Sequence, residues 1–474
     1  MNDLIIPIHS GLKEPIYEQI YRFMKAEIKK GGLPAGEKVP STRKLANNLQ
    51  ISRSTVEMAY EQLLAEGYIV SQPYKGYFVA QVEELTKSDI KKTTRAEQNP
   101  VILETACLYD FSPRGIDLEN FPYGVWRKIS RNILQEDNKE LFGNGHSQGD
   151  EELRIAICNY LHYARGVKAT PDLMIIGAGN EYLLMMLSQL LGKCTVAVEN
   201  PTYLQAARVL KSQGFTIKPV EMDRYGMKLQ PLREDASVDA AYVMPSHQYP
   251  LGTVMPIKRR LELLSWANEK EGRYIIEDDY DSEFRYKGKP IPALQGTDNG
   301  SNVIYMGTFS RSVAPAIRVS YMVLPKALAE KYHNSIGFYS STVSRIDQKI
   351  LTEFLAEGYF ERHLNRMRTI YKSKHDCLLA GIEKFPFEYS VLGENAGTHI
   401  LLEFPVSRDY EAAFVKSALD AGVKVYGLSA YYYCGSPDKA TILLGYAKMS
   451  EQAIEQGLVL LKKVWSELLQ NIKK

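Results

Sequence analysis

Cysteine is scarce and scattered in this chain: Cys107, Cys158, Cys194, Cys377 and Cys434 make five, an odd number with no CxxC pair. That excludes a disulfide framework and a thiolate zinc site, and it fits a reducing compartment. Charge of one sign is lacking too. The net charge is +2, so any contact with nucleic acid must come from local placement of cations. No apolar run approaches the roughly 20 residues of a membrane span. The first residues, MNDLIIPIHSGLKEP, lack a basic segment followed by a continuous apolar one, so a cytoplasmic protein with no membrane partner is expected. Internal repeats and low-complexity tracts are also missing. What is present is globular in composition, 45% hydrophobic and 24% charged. A length of 474 residues leaves room for a large α/β unit and a small accessory module.

The first eighty or so residues read as three helices and a hairpin. YEQIYRFMKAEIKKG sets Ile20, Phe23, Met24 and Ile28 at helical spacing and ends in Gly-Gly-Leu-Pro, a stop signal. Ser41 stands where an N-cap belongs before TRKLANNL, and Ser52 where one belongs before RSTVEMAYEQLLAEG, with only Gln50 and Ile51 between the two helices. YIVSQPYKGYFVA then places β-formers on both sides of Pro73-Tyr74-Lys75-Gly76. Two helices joined tightly and followed by a hairpin make a winged helix-turn-helix. The second helix would enter the major groove by its N-terminus, which nominates Ser52, Arg53, Ser54 and Thr55. Ser41, Thr42, Arg43 and Lys44 open the preceding helix, where Arg43 and Lys44 suit backbone clamping. Lys75 and Gly76 sit at the wing tip. A helical dimerisation cap with solvated arginines is the blander alternative.

From about Gln81 to Tyr109 the periodicity dissolves into VEELTKSDIKKTTRAEQNP, read as a linker or else a frayed helix. Beyond it, DLMIIGAG, TVAVENP, DAAYVMP, RYIIEDDY, VIYMGTFS and YMVLP alternate with helical stretches, the pattern of a mostly parallel sheet wrapped by helices. HILLEFP, VKVYGLS and TILLGYA, between helical runs, imply a smaller C-terminal α+β subdomain. GAGNEYLL sets Gly179 and Asn180 where a strand gives way to a helix, a place suited to phosphate. IIEDDYDSEF ends a strand in acids, one of which could hold a pyridine nitrogen protonated; a solvated acidic loop is the alternative.

Two resemblances organise these segments. EKVPSTRKLANNLQISRSTVEMAYEQLLAEGYI resembles the GntR family of bacterial transcription regulators, with Val39 in place of the usual leucine. The ordered set GAGNEYLL, NPTY, PSHQYPLG, EDDY and TFSRSVAPAIR resembles fold-type I, pyridoxal-phosphate-dependent aminotransferases. With DLENFPYGVW and ERHLNRMRTIYKSKHD, the whole chain resembles the MocR/GabR subgroup of GntR regulators. The resemblance implies an α/β fold class: a winged helix-turn-helix at 13–81, a linker at 82–109, and at 110–474 an aminotransferase-like domain that binds a small-molecule effector and assembles a head-to-tail homodimer on a double-stranded DNA operator.

Carried over residue by residue, the resemblance puts Gly179, Asn180, Thr308, Ser310 and Arg318 at phosphate, Tyr203 over the cofactor ring, Asp278 at its nitrogen and Tyr280 near its hydroxyl. His247 and Tyr249 fall in the loop where aminotransferases read Asn-Pro-Thr-Gly. Two departures matter. Arg311 stands where the lysine that forms the Schiff base belongs, and Leu443 where many aminotransferases place the arginine that grips the substrate carboxylate. A guanidinium keeps its proton to above about pH 12 and delocalises its nitrogens, so Arg311 can neither form an internal aldimine nor shuttle the proton of transamination. The expectation is therefore a sensor and not an enzyme, its pyridoxal-phosphate-like ligand held non-covalently or absent; the alternatives are a pyridoxal-phosphate-dependent aminotransferase with a regulatory DNA-binding head, or a cofactor-free DNA-binding scaffold. Any covalent label would point to a surrogate such as Lys289 or Lys326. Arg311 would bond to a phosphate or carboxylate, or else pair with Asp278 and fill the cavity.

Overall fold

The computed structural model describes residues 6–8, 14–81, 107–286, 288, 290–298 and 302–472; Lys13, most of the expected linker (82–106) and Lys289 lie outside these. The chain forms two compact units, Met1–Ile102 and Leu103–Lys474.

In the first unit, helix α1 (Ile16–Lys30) ends at Gly31, whose φ of +80° lets its N–H turn back to Ile28 O. Helices α2 (Thr42–Leu49) and α3 (Arg53–Ala65) start as their serines require: Ser41 Oγ accepts from Lys44 N–H and Ser52 Oγ from Thr55 N–H, each at 3.2 Å. Gln50, in the left-handed region, makes the turn between them. Ile20 and Met24 of α1, Leu45 and Ala46 of α2, and Val56, Ala59, Tyr60 and Leu63 of α3 converge in one core. It is closed by Ile69 and Val79, a cross-strand pair of the antiparallel ribbon β1 (Ile69–Gln72) and β2 (Gly76–Val79). This is the winged helix-turn-helix that the element order implied.

The second unit begins with β3 (Tyr109–Asp110), then α4 (Tyr123–Ile133) and α5 (Glu151–Arg165). Its main sheet comprises β4 (Met174–Gly177), β5 (Thr195–Asn200), β6 (Thr216–Asp223), β7 (Gly226–Met227), β8 (Val238–Val243), β9 (Tyr274–Asp279), β10 (Val303–Thr308) and β11 (Ser320–Val323), in the order β4-β11-β10-β9-β8-β5-β6-β7. From β10 through β6 neighbours run parallel, while β11 is antiparallel to both its neighbours. Met174 and Ile176 enter one hydrophobic core and Ile175 another, so the sheet is buried on both faces, which explains why its strands read as continuous apolar runs. A second, antiparallel sheet, β12 (Ser390–Leu392), β13 (His399–Ser407), β16 (Lys439–Gly445) and β15 (Tyr426–Gly427), forms the expected α+β subdomain. Here β3 pairs in parallel with β14 (Val423–Lys424), so this unit's first strand joins chain that lies some three hundred residues later.

Candidate ligand site and nucleic-acid interface

Parallel strands gather their C-terminal ends on one edge of a sheet, and ligands collect there. β4, β9 and β10 deliver Gly179, Asp278 and Thr308 to that edge, around a cavity of about 210 Å³. Gly179, Asn180, Tyr203, Tyr249, Asp278, Tyr280, Thr308, Ser310, Arg311 and Arg318 all line it. His247 does not. It is 3% exposed, with Nδ1 between Asp281 (2.9 Å) and the Tyr280 hydroxyl (3.0 Å). Its expected place at the ligand is thus corrected: His247 braces Tyr280 from behind, where a Cβ on Gly397 would collide with its ring.

The end of the cavity expected to take phosphate is built from backbone. Gly179 caps helix α6 (Asn180–Leu191) with φ +97° and ψ 164°, a conformation open essentially to glycine alone. A Cβ there would stand 2.5 Å from Arg318 Nη2. Arg318 itself sits at φ +54° and bonds Ala178 O and Glu181 Oε2, both at 3.1 Å. The Thr308 hydroxyl is spent within its turn, accepting from Ser310 N–H (3.1 Å) and the Ser320 hydroxyl (2.9 Å). It shapes the turn that presents Ser310.

The acid run is not a solvated loop. Glu277 accepts from the N–H groups of Leu294 and Gln295, Asp279 pairs with Arg165 at 2.8 Å and accepts from Tyr305, and Asp281 holds His247. Asp278 alone faces the cavity, bonded to the Tyr242 hydroxyl and, at 3.3 Å, to Asn180 Nδ2. Burial pushes its carboxyl up to about 7, against the pull of Tyr242's hydrogen bond. Burial likewise raises Glu277 to about 7 and Glu199 and Glu283 to about 8.

A raised carboxylate pKa stabilises the fold only while the group stays protonated. The contribution of Asp278 is present below about pH 4 and is lost as the pH climbs through about 7. Asp278→Asn is therefore expected to leave the melting temperature unchanged near pH 4 and to raise it at pH 8, by the equivalent of roughly 1–3 kcal/mol. Parallel thermal melts across that range check this.

Arg311 does not pair with Asp278. Its Nη2 donates to Pro113 O (3.1 Å) and Thr398 Oγ1 (2.6 Å), tying the turn after β10 to the chain after β3 and to the start of β13. The ion pair considered from sequence is thus replaced by a tether, and the cavity stays open. Among the described residues no lysine lines it, and Lys326 opens the helix Lys326–Ser335 away from it. Leu443 is fully buried in β16 among core side chains.

In the winged unit, Arg43, Lys44, Ser52, Arg53, Ser54 and Lys75 are exposed, Thr55 and Gly76 partly so. Arg53 is held along α3 by Glu57 at 2.7 Å. Ser52, Ser54 and Thr55 share hydroxyl contacts of 2.7–2.9 Å, and Ser41 caps α2. Thr42 is a correction: at 7% exposure it belongs to the domain's core and cannot face a duplex. Gly76 adopts φ +102°, which explains the glycine after the wing tip.

Both units are similar to known proteins. Residues 16–79 match the family "Bacterial regulatory proteins, gntR family", and residues 118–460 match "Aminotransferase class I and II". The HTH-type transcriptional regulator YdeL of Bacillus subtilis, itself uncharacterized, is 41% identical over 97% of this chain and 98% of its own length. MocR of Rhizobium meliloti, a "probable rhizopine catabolism regulatory protein", is 30% identical over 96% of this chain and 94% of its own. The chain belongs to the MocR/GabR subgroup of GntR regulators. It is a DNA-binding transcription regulator with a fold-type I aminotransferase-like domain. That domain superposes on the kynurenine aminotransferase of Pyrococcus horikoshii with a TM-score of 0.68 and 25% identity, covering 77% of this chain and 92% of the enzyme. No helix among the described residues is long and apolar enough to cross a membrane.

Sequence reasoning missed three residues in this regulator's sites. Arg114 lines the cavity with its guanidinium 5.4 Å from the Tyr203 ring centre, and no motif announced it. Tyr74 stands fully exposed at the wing tip at φ +61°. Glu181 follows the named Asn180 and already occupies Arg318 with a carboxylate. Glu181→Gln frees that arginine and removes a like charge, so it is expected to tighten binding of pyridoxamine phosphate by about 3- to 10-fold in calorimetry. Unchanged affinity would mean that Glu181 is no internal stand-in for phosphate.

Proposed function

We propose that the aminotransferase-like domain is a sensor that holds a vitamin B6 form, a cofactor–amine adduct or a related amino compound without a covalent bond, and that it has no transaminase activity. The observation that carries this reading is the lining of the cavity: Gly179, Ser310 and Arg318 share it with a buried acid, Asp278, and among the described residues no lysine lines it. The residues fit the pyridoxal group. Asn180 Oδ1 is an acceptor buried at the cavity without a hydrogen-bond partner, open to a ligand N–H, and the buried Asp278 carboxyl, raised to about 7 by desolvation, would be returned to its ionised form by a cation beside it. Gly179, Asn180, Ser310 and Arg318 would hold the phosphate, Asp278 the ring nitrogen, Tyr280 the ring hydroxyl and Tyr203 a ring face. When bound to an enzyme the group supplies an electron sink; here nothing on Arg311 can open a covalent path to it.

Two copies in a head-to-tail dimer would present two winged units to an operator in the cytoplasm, joined to the sensor domains by the chain that precedes β3. The ligand would shift the dimer between geometries that fit a pair of half-sites differently. The test is operator binding by fluorescence anisotropy, with DNA selected by the protein from a random library, with and without pyridoxal or pyridoxamine phosphate. A change in affinity of at least about 5-fold is expected. Identical isotherms would favour a cofactor-free DNA-binding scaffold.

A further inference from the structure

The segment after β3 contributes Arg114 to the cavity lining and is fastened on both sides of it. Gly445 N–H bonds Phe111 O at 2.9 Å, and any Cβ on Gly445 would strike Ser112 O at 2.1 Å. Arg311 holds Pro113 O. Lys374 and the Tyr371 hydroxyl fix Asp117, at 2.8 Å through its carboxylate and 3.1 Å through its N–H. Between these anchors the chain projects one long cationic side chain, Arg114, into the cavity against the Tyr203 ring. Arg114 makes no ion pair among the described residues, whereas Arg318, the cation at the phosphate end, is matched by Glu181. Leu443, where the resemblance to aminotransferases would place a carboxylate-binding arginine, is wholly buried.

From this arrangement we propose that Arg114 is the receptor for a second anion, a carboxylate. Arg311 is the positioning residue that pins its loop, so the ligand is a phosphorylated pyridine whose amine substituent bears a carboxylate, as in a phosphopyridoxyl amino acid. The inference rests on the reading of the cavity as a B6-type site and specifies what that site selects. Both bonds of Arg311 come from Nη2, one to the carbonyl of Pro113 beside Arg114 and one to the Thr398 hydroxyl. The replacement that removes the Schiff base is the same one that holds the new cation in place.

The test uses two matched non-aldehyde probes on the full chain by calorimetry: N-(5′-phosphopyridoxyl)glycine and N-(5′-phosphopyridoxyl)methylamine, which differ by the carboxylate alone. The expected result is a preference of about 10-fold or more for the glycine probe. In Arg114→Gln and in Arg311→Met the ratio of the two affinities should collapse to about 2-fold or less. Equal affinities in the unaltered protein, or a preference that survives Arg114→Gln, overturn the inference and leave the B6-type site standing. If neither probe binds, the B6-type reading itself falls and this inference with it.

Discussion

Arg311→Lys, incubated with pyridoxal phosphate and reduced with borohydride, is expected to carry a stable phosphopyridoxyl label on residue 311 at near-stoichiometric occupancy, where the unaltered protein carries none. The change is qualitative because guanidinium has no nitrogen able to lose its proton and attack an aldehyde, whereas a lysine amine beside a cavity readily does so. Position 311 lies half-buried at the cavity wall, three residues past the end of β10, in the turn that also presents Ser310. Gly179, Arg318 and Asp278 line the same cavity, so the substitution would place an amine among them. Peptide mapping after reduction reads the result. Absence of label in the variant would mean that the cavity does not admit the aldehyde, and the domain would then be a scaffold without a B6-type ligand. Label on another lysine in the unaltered protein would instead reveal a surrogate amine.

Much of this was legible because local chemistry and tertiary role coincided. Ser41 and Ser52 announced helix starts and cap them, and the apolar runs of β4, β8, β9 and β10 announced strands buried on both faces. Gly179 was named for the turn it makes, and its φ and its closeness to Arg318 both require it. What stayed illegible depends on residues far apart in sequence. Arg114 follows a two-residue strand whose partner, β14, lies some three hundred residues on, and no periodicity marks a strand that short. Tyr242 supplies the hydroxyl on Asp278 from a neighbouring strand, a pairing set by register alone. His247 carried a motif but not a direction. Gly397 approaches its ring closely and the Tyr280 hydroxyl meets its Nδ1, an arrangement that sequence spacing could not distinguish from facing the ligand. The antiparallel β11 is hidden for a similar reason, since YMVLP reads the same in either direction.

On the DNA side, Arg53→Ala is expected to weaken specific operator binding by about 10- to 100-fold and to relax selectivity at one base position, while leaving the fold intact. Arg53 is the first residue of α3, two-thirds exposed, and its ion pair with Glu57 runs along the helix surface where it contributes little stability. The N-terminal turn of a recognition helix is the part that reaches base edges, and a guanidinium held there by an i,i+4 carboxylate is partly ordered before it binds. Lys75→Ala should behave differently. A wing-tip ammonium meets phosphate, so its loss weakens binding to all sequences alike and lowers the salt-dependence slope by about one. Thr42→Ala provides the contrast that separates contact from packing. Its side chain is buried in the winged unit, so it should lower thermal stability and leave the affinity of the folded protein for DNA unchanged. Anisotropy titrations at several salt concentrations with specific and scrambled duplexes distinguish the three. Equal losses on both duplexes for Arg53→Ala would assign it to the backbone and move base reading to Ser54 and Thr55, whose hydroxyls lie beside it on the same turn.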